Sequence, residues 1–144
     1  MDIPDDILIK SISDGDVYYF SSTKIQSNEP HNFICVKKGN NDILVMACCS
    51  SKYETSLKYI KRQGISEDTL VYLDPAINTY LKKHTFVNCN NAFPFTKQEF
   101  LAKYRKNEIK FKGKVDSEDY DKIKNGLLIS PDVEEEIKDI IRSI

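Results

Sequence analysis

The feature that most constrains this chain is a pair of apolar runs hinged on a short polar cluster. Pro30 to Val36 leads into Lys38-Gly39-Asn40-Asn41-Asp42, and Ile43 to Ala47 follows, ending in Cys48-Cys49-Ser50-Ser51. Gly and Asn tolerate the positive φ angles of short hairpin loops, so the stretch predicts a β-hairpin. Its arms are continuously apolar rather than alternating. Such strands are buried on both faces or curl into a small barrel. The outer ends of a hairpin lie side by side, which brings His31 and Asn32 near Ser50 and Ser51. An imidazole, an amide and two hydroxyls at one end of a core hairpin make this the leading candidate site.

The chain has 144 residues, 40% of them apolar, enough for one domain with a real core. No apolar run approaches the ~20 residues that span a membrane. The acidic start Met1-Asp2-Ile3-Pro4-Asp5-Asp6 does not resemble a secretory leader. Cys35, Cys48, Cys49 and Cys89 show no C-x-x-C spacing. They read as buried free thiols of a cytoplasmic protein, without metal or other cofactor. The net charge of −1 hides a division. Residues 1–16 carry five aspartates against one lysine, and residues 115–144 carry nine acidic against four basic side chains. The middle keeps 16 basic and 8 acidic residues, a net of +8 that suits a polyanionic ligand and suits an unevenly charged surface equally.

In chain order, residues 4–13 predict a short helix with Ile7, Leu8 and Ile12 inward. Val17-Tyr18-Tyr19-Phe20 is the first strand, with one tyrosine ring facing the core and the other outward. Residues 21–29 form a polar loop that leads into His31. Ser51-x-x-Glu54 has the form of a capping box opening a helix that Gly64 ends. Strands follow at Thr69–Leu73 and Thr85–Cys89. Thr96-x-x-Glu99 opens another helix, and Glu108–Lys112 is a half-exposed strand. A helix beginning at Asp116 carries Tyr120, Ile123 and Leu127 on one face. The last helix takes Ser130 as N-cap and Pro131 in its first turn. Val133, Ile137, Ile140, Ile141 and Ile144 form its apolar face. The expected class is α+β, with a core of Val17, Ile34, Val36, Leu44, Met46, Val71 and Val87. The division is a lead-in segment over 1–14, a barrel with inserted helices over 15–115 and C-terminal helices over 116–144.

The order of short motifs resembles the MazF/PemK/Kid toxin family. Gly15-Asp16-Val17-Tyr18 matches its opening strand. A polar loop and a hairpin ending in a small hydroxyl residue follow, then a late Gly113-Lys114-Val115-Asp116-Ser117-Glu118 that opens a helix. Thr85-Phe86-Val87-Asn88-Cys89-Asn90-Asn91 resembles the family's S-x-V-x-C-D-Q stretch. The resemblance covers residues 14–127 and implies an SH3-like β-barrel with appended helices, usually a homodimer. It also implies cleavage of single-stranded RNA by a toxin paired with an antitoxin protein. The family's catalytic Arg, from an Arg-Pro pair at the head of the second strand, is absent, and His31-Asn32 stands in its place. The family's catalytic Thr or Ser falls on Ser50 or Ser51.

Cleavage of RNA by its own 2′-OH needs a base, an acid and donors for the phosphate. His31 and His84, the two histidines of the chain, are the proton-transfer candidates. Ser50, Asn32 and Thr85 are candidate donors, and Lys52 offsets charge. Ser51 is the helix N-cap in this reading, which leaves Ser50 for chemistry. For RNA contact the candidates are Tyr18 and Lys52, together with Lys103, Arg105, Lys110 and Lys112 of the basic stretch 97–114, in which Phe100, Tyr104 and Phe111 are interleaved. At that spacing the same aromatics also read as core. Three function classes stay open: a toxin-type endoribonuclease, an RNA-binding barrel without catalysis, and a module that holds a protein segment. The absence of Walker-type loops, zinc spacings and a G-x-S-x-G elbow sets other hydrolase classes aside.

Overall fold

The computed structural model describes residues 3–25 and 27–143. Among the described residues, five α-helices pack around one antiparallel sheet of seven strands. Its centre is the hairpin of β2 (His31–Lys38) and β3 (Ile43–Ser50), with Phe33 opposite Cys48 and Ile34 opposite Ala47. The loop does not need a positive φ at Gly39. It needs the missing side chain, since a Cβ there would stand 2.6 Å from Asn41 Oδ1 and 3.0 Å from the Ile43 carbonyl.

β1 (Asp16–Phe20) pairs with β2, and β7 (Lys110–Lys114) pairs with β1 and forms one edge. The far half of β3 pairs with β5 (Thr85–Asn88), which pairs with β4 (Leu70–Leu73) at the other edge. The near half of β3 pairs instead with β6 (Phe93–Thr96). Among the described residues no ladder joins β4 to β7, so the sheet is open where a closed barrel was expected.

The seven expected core positions are all buried, but in two clusters rather than one. Successive residues on a strand point to opposite faces, so the continuous apolar runs feed both. Val17, Ile34, Val36, Val45, Ala47, Val71 and Val87 fill an aliphatic core. Ile123 and Leu127 of α4 (Ser117–Ile129) and Ile141 of α5 (Glu135–Arg142) complete it. Tyr18, Phe20, Phe33, Leu44, Met46 and Phe95 fill the other core, with Phe100 of α3 (Lys97–Arg105). Phe20 stacks on Phe33 with ring centroids 4.4 Å apart.

Several local expectations change. α1 (Asp5–Ser11) buries Leu8 but leaves Ile7 exposed. β6 is a strand the sequence pattern does not show, because Pro94 interrupts it; Pro94 stands opposite Val45 in the short ladder. Ser130 ends α4 instead of starting the last helix, and Pro131 lies in the turn between them. The buried Ser130 hydroxyl donates to Asn90 Oδ1 at 2.7 Å and accepts the Asp132 N–H at 3.1 Å. Ile144 lies outside the described residues. The Thr96–Glu99 capping box is present with both reciprocal bonds. Gly64 ends α2 (Tyr53–Gln63) in the left-handed region at φ 71°.

Candidate active site

The open end of the β2–β3 hairpin forms one wall of a cleft of about 270 Å³. His31 and Ser50 face it from the hairpin, and Lys52, Thr55 and Ser56 from the start of α2. Asn88 and Asn91 line it from the end of β5, and Ile25 and Ser27 bring the loop after β1 to its rim.

His31 Nδ1 lies 2.9 Å from the Glu29 carbonyl oxygen. A carbonyl only accepts, so in the neutral ring Nδ1 carries the proton and Nε2 keeps its lone pair. That leaves Nε2 as the nitrogen able to accept a proton. Ser50 Oγ accepts the Lys52 N–H at 3.1 Å, which leaves the hydroxyl proton to donate elsewhere. The same turn sets the start of the helix. Lys52, not Ser51, is the N-cap of α2, and no side chain caps it. The expected Ser51 box is therefore not formed. The helix begins one residue later, and its first-turn N–H groups carry the positive end of the helix dipole beside the cleft.

Asn88 is oriented from behind. Its Oδ1 accepts both the backbone N–H and the side-chain Nδ2 of Asn90, each at 3.0 Å. With the oxygen taken up, the amide nitrogen of Asn88 is what remains for the cleft. Asn90 is held by Thr69 Oγ1 at 2.9 Å and by Ser130, a buried network with each partner satisfied. Asn88 and Asn91 are site residues that the sequence reading does not include, although both stand in the same segment as Thr85. Pairs of asparagines around a buried cysteine were the available signal.

The remaining candidates lie elsewhere. Asn32 points to the opposite sheet face from His31, and its Oδ1 is buried without a hydrogen-bond partner. His84 and Thr85 line a separate cleft with Ser51, Tyr53, Tyr72 and Phe86. His84 is engaged there by the Tyr72 hydroxyl, so it is not paired with His31. Tyr18 is not an outward ring. It sits in the aromatic core, 5.0 Å centroid to centroid from Phe100, with its hydroxyl donating to Asp16. The outward tyrosine is Tyr19, with Lys112 5.7 Å from its ring centre. Lys110 and Lys112 are exposed on β7. Lys103 Nζ donates to the Ser21 carbonyl at 3.1 Å. Arg105 is tied to Asp5 and to the Ile3 carbonyl, so α1 takes up its guanidinium.

All four cysteines are free. Cys48 lines the cleft, and burial pushes its thiol up to about 12, so it stays protonated at neutral pH. Among the described residues no three His, Cys, Asp or Glu side chains converge as a metal site, and no helix is long and apolar enough to cross a membrane.

No protein-family model matches the sequence, and no curated protein matches it. Solved structures do match. One is an endoribonuclease in complex with its cognate antitoxin from Mycobacterial species. It is similar over 81% of this chain and 91% of that one, with a TM-score of 0.52 and 16% sequence identity. At that identity the likeness establishes a shared fold, in agreement with the toxin-type resemblance of the sequence motifs.

Proposed function

We propose that this protein is a toxin-type endoribonuclease that cuts single-stranded RNA in the cleft at the open end of the hairpin. The observation that carries the reading is the convergence of His31, the Ser50 hydroxyl, Lys52 and the uncapped start of α2 on one cleft. The likeness in fold to an antitoxin-bound endoribonuclease supports it. His31 Nε2 takes the proton of the 2′-OH, and the 2′ oxygen attacks the adjacent phosphorus. The bond from phosphorus to the 5′ oxygen breaks, leaving a 2′,3′-cyclic phosphate. The departing oxygen recovers a proton from the imidazolium or from water. Ser50, the Asn88 amide and the first N–H groups of α2 donate to the phosphate oxygens, and Lys52 offsets their charge. This donor set stands where an arginine fork would otherwise act.

The open sheet is, in this reading, an unclosed form of the small SH3-like barrel. Two copies of the chain form a homodimer, and an antitoxin protein is its natural partner. Lys103, Lys110 and Lys112 follow the RNA backbone outside the cleft. A second reading, RNA binding without cleavage, is favoured by one observation: the cleft holds a single histidine and no arginine. Incubating purified protein with a long single-stranded RNA in chelator, and identifying the product ends, separates the two. Cyclic phosphate and 5′-hydroxyl ends support cleavage by this route. Binding without products supports the second reading.

A further inference from the structure

The cleft that holds His84 is built for a different task. Its walls are the rings of Tyr53, Tyr72 and His84, with Ser51, Thr85 and Phe86 completing it, and its volume is about 490 Å³, within the range of ligand pockets. Tyr53 and Tyr72 are 44% and 52% exposed, yet both are fixed. Tyr72 lies nearly parallel to His84, at 19° and 5.5 Å between ring centres, and its hydroxyl bonds His84 Nδ1. Tyr53 stands edge-on to the buried Phe86 at 5.5 Å and 88°. The strand pattern explains why Tyr72 points outward between buried Val71 and Leu73, but not why an outward position carries an anchored aromatic ring.

We infer that Tyr53, Tyr72 and His84 form a nucleobase-stacking subsite for single-stranded RNA, adjoining the cleavage cleft. The inference rests on the RNA-cleaving reading above. Continuity carries it. Along residues 50–53 the chain alternates between the two clefts: Ser50 and Lys52 line the first, Ser51 and Tyr53 the second. A strand whose phosphate sits at His31 and Ser50 passes over this junction, and a neighbouring base meets the rings. The charge also suits a polyanion. Exposed Lys52, Lys82 and Lys83 flank Ser51 and His84 in sequence, against Glu54 and Asp74 on the same stretches. Aromatic rings beside lysines are the usual platform for an unpaired base.

The test uses 2′-O-methyl oligoribonucleotides of mixed sequence, which the proposed chemistry cannot cut, with 2-aminopurine as the stacking reporter. Wild-type protein quenches the reporter on binding. Tyr72→Ala abolishes that quenching and weakens binding by roughly tenfold or more, the loss expected for one stacked base. Tyr72→Phe retains both, because the ring remains. Affinity for an abasic oligonucleotide is the same for all three proteins. Equal affinity and quenching for wild type and Tyr72→Ala overturns the subsite, and if His31→Ala still abolishes cleavage of ordinary RNA, the cleavage reading survives. Failure of the wild type to bind any of these oligonucleotides overturns both. Unchanged RNA binding by Tyr72→Ala together with loss of a co-expressed protein partner assigns the cleft to protein docking instead.

Discussion

Two clefts flank the same four residues at the end of β3, and they differ in almost everything else. The His31 cleft is lined by hydroxyls, amides and a lysine, with an imidazole whose Nε2 is able to accept a proton. The Tyr72 cleft is lined by aromatic rings, with its imidazole occupied by a phenol. The chain has two histidines, and by sequence both are proton-transfer candidates, acting together or one alone. The structure separates them. The contrast teaches that position along a strand says little about role until the hydrogen-bond partner of the ring is known.

That contrast breaks most sharply at His31. His31→Ala is expected to lower the rate of RNA cleavage ~10²–10⁴-fold, as for loss of a general acid–base group. His84→Ala should leave the pH profile of cleavage in place. Cleavage that survives His31→Ala with its pH dependence unchanged would move the chemistry out of the first cleft. Ser50→Ala comes next, costing ~1.5–3 kcal/mol of transition-state stabilisation if its hydroxyl donates to a charged phosphate oxygen. The measurement is single-turnover cleavage, with urea denaturation as a control for folding.

Asn90→Ala tests what holds the first cleft together. It leaves Ser130 and Asn88 without their shared partner, and the expected loss of stability is ~1–3 kcal/mol by urea denaturation. The Tyr72 cleft, whose lining side chains make no hydrogen bond to Asn90, should keep its reporter response under native conditions. The thiols make a smaller difference between the clefts, because Cys48 and Cys49 line the first and no cysteine lines the second. Burial raises the folded-state value of Cys48 from an ordinary 9.0 to about 12, and those of Cys35 and Cys89 to about 12 as well. Their contribution is complete below pH ~9 and is lost as pH rises toward the folded values, because the unfolded thiols ionise first. The urea midpoint should therefore fall between pH 9 and pH 12, and a thiol reagent at pH 7 should react slowly until the protein unfolds. The smallest effect is expected at Ser51. Ser51→Ala should change stability by no more than about 0.5 kcal/mol, since its hydroxyl caps no helix. A loss near 1 kcal/mol, typical of a removed N-cap, would contradict the observed helix start.

What the sequence determined by itself was local in origin. The polar cluster between two apolar runs specified the hairpin, and the hairpin specified that His31 and Ser50 share one end. Thr96 and Glu99 specified a capping box because both partners lie within one turn. Gly64 specified a helix end for the same reason. The alternation of Tyr18 and Tyr19 gave one inward and one outward ring, although which was which needed the sheet. What only the tertiary structure decided depended on partners distant in the chain. Ser130 reads as an N-cap by its neighbours, but Asn90, forty residues away, takes its hydroxyl. Pro94 hides a strand whose existence depends on pairing with β3. The continuous apolar arms were compatible with a closed barrel, and the ladders left them as an open sheet between an aliphatic and an aromatic core. The division of the two histidines between clefts followed from which strand β5 joined. Local chemistry sets turns, caps and strand faces within a few residues; the company a side chain keeps is set by the packing of the whole sheet.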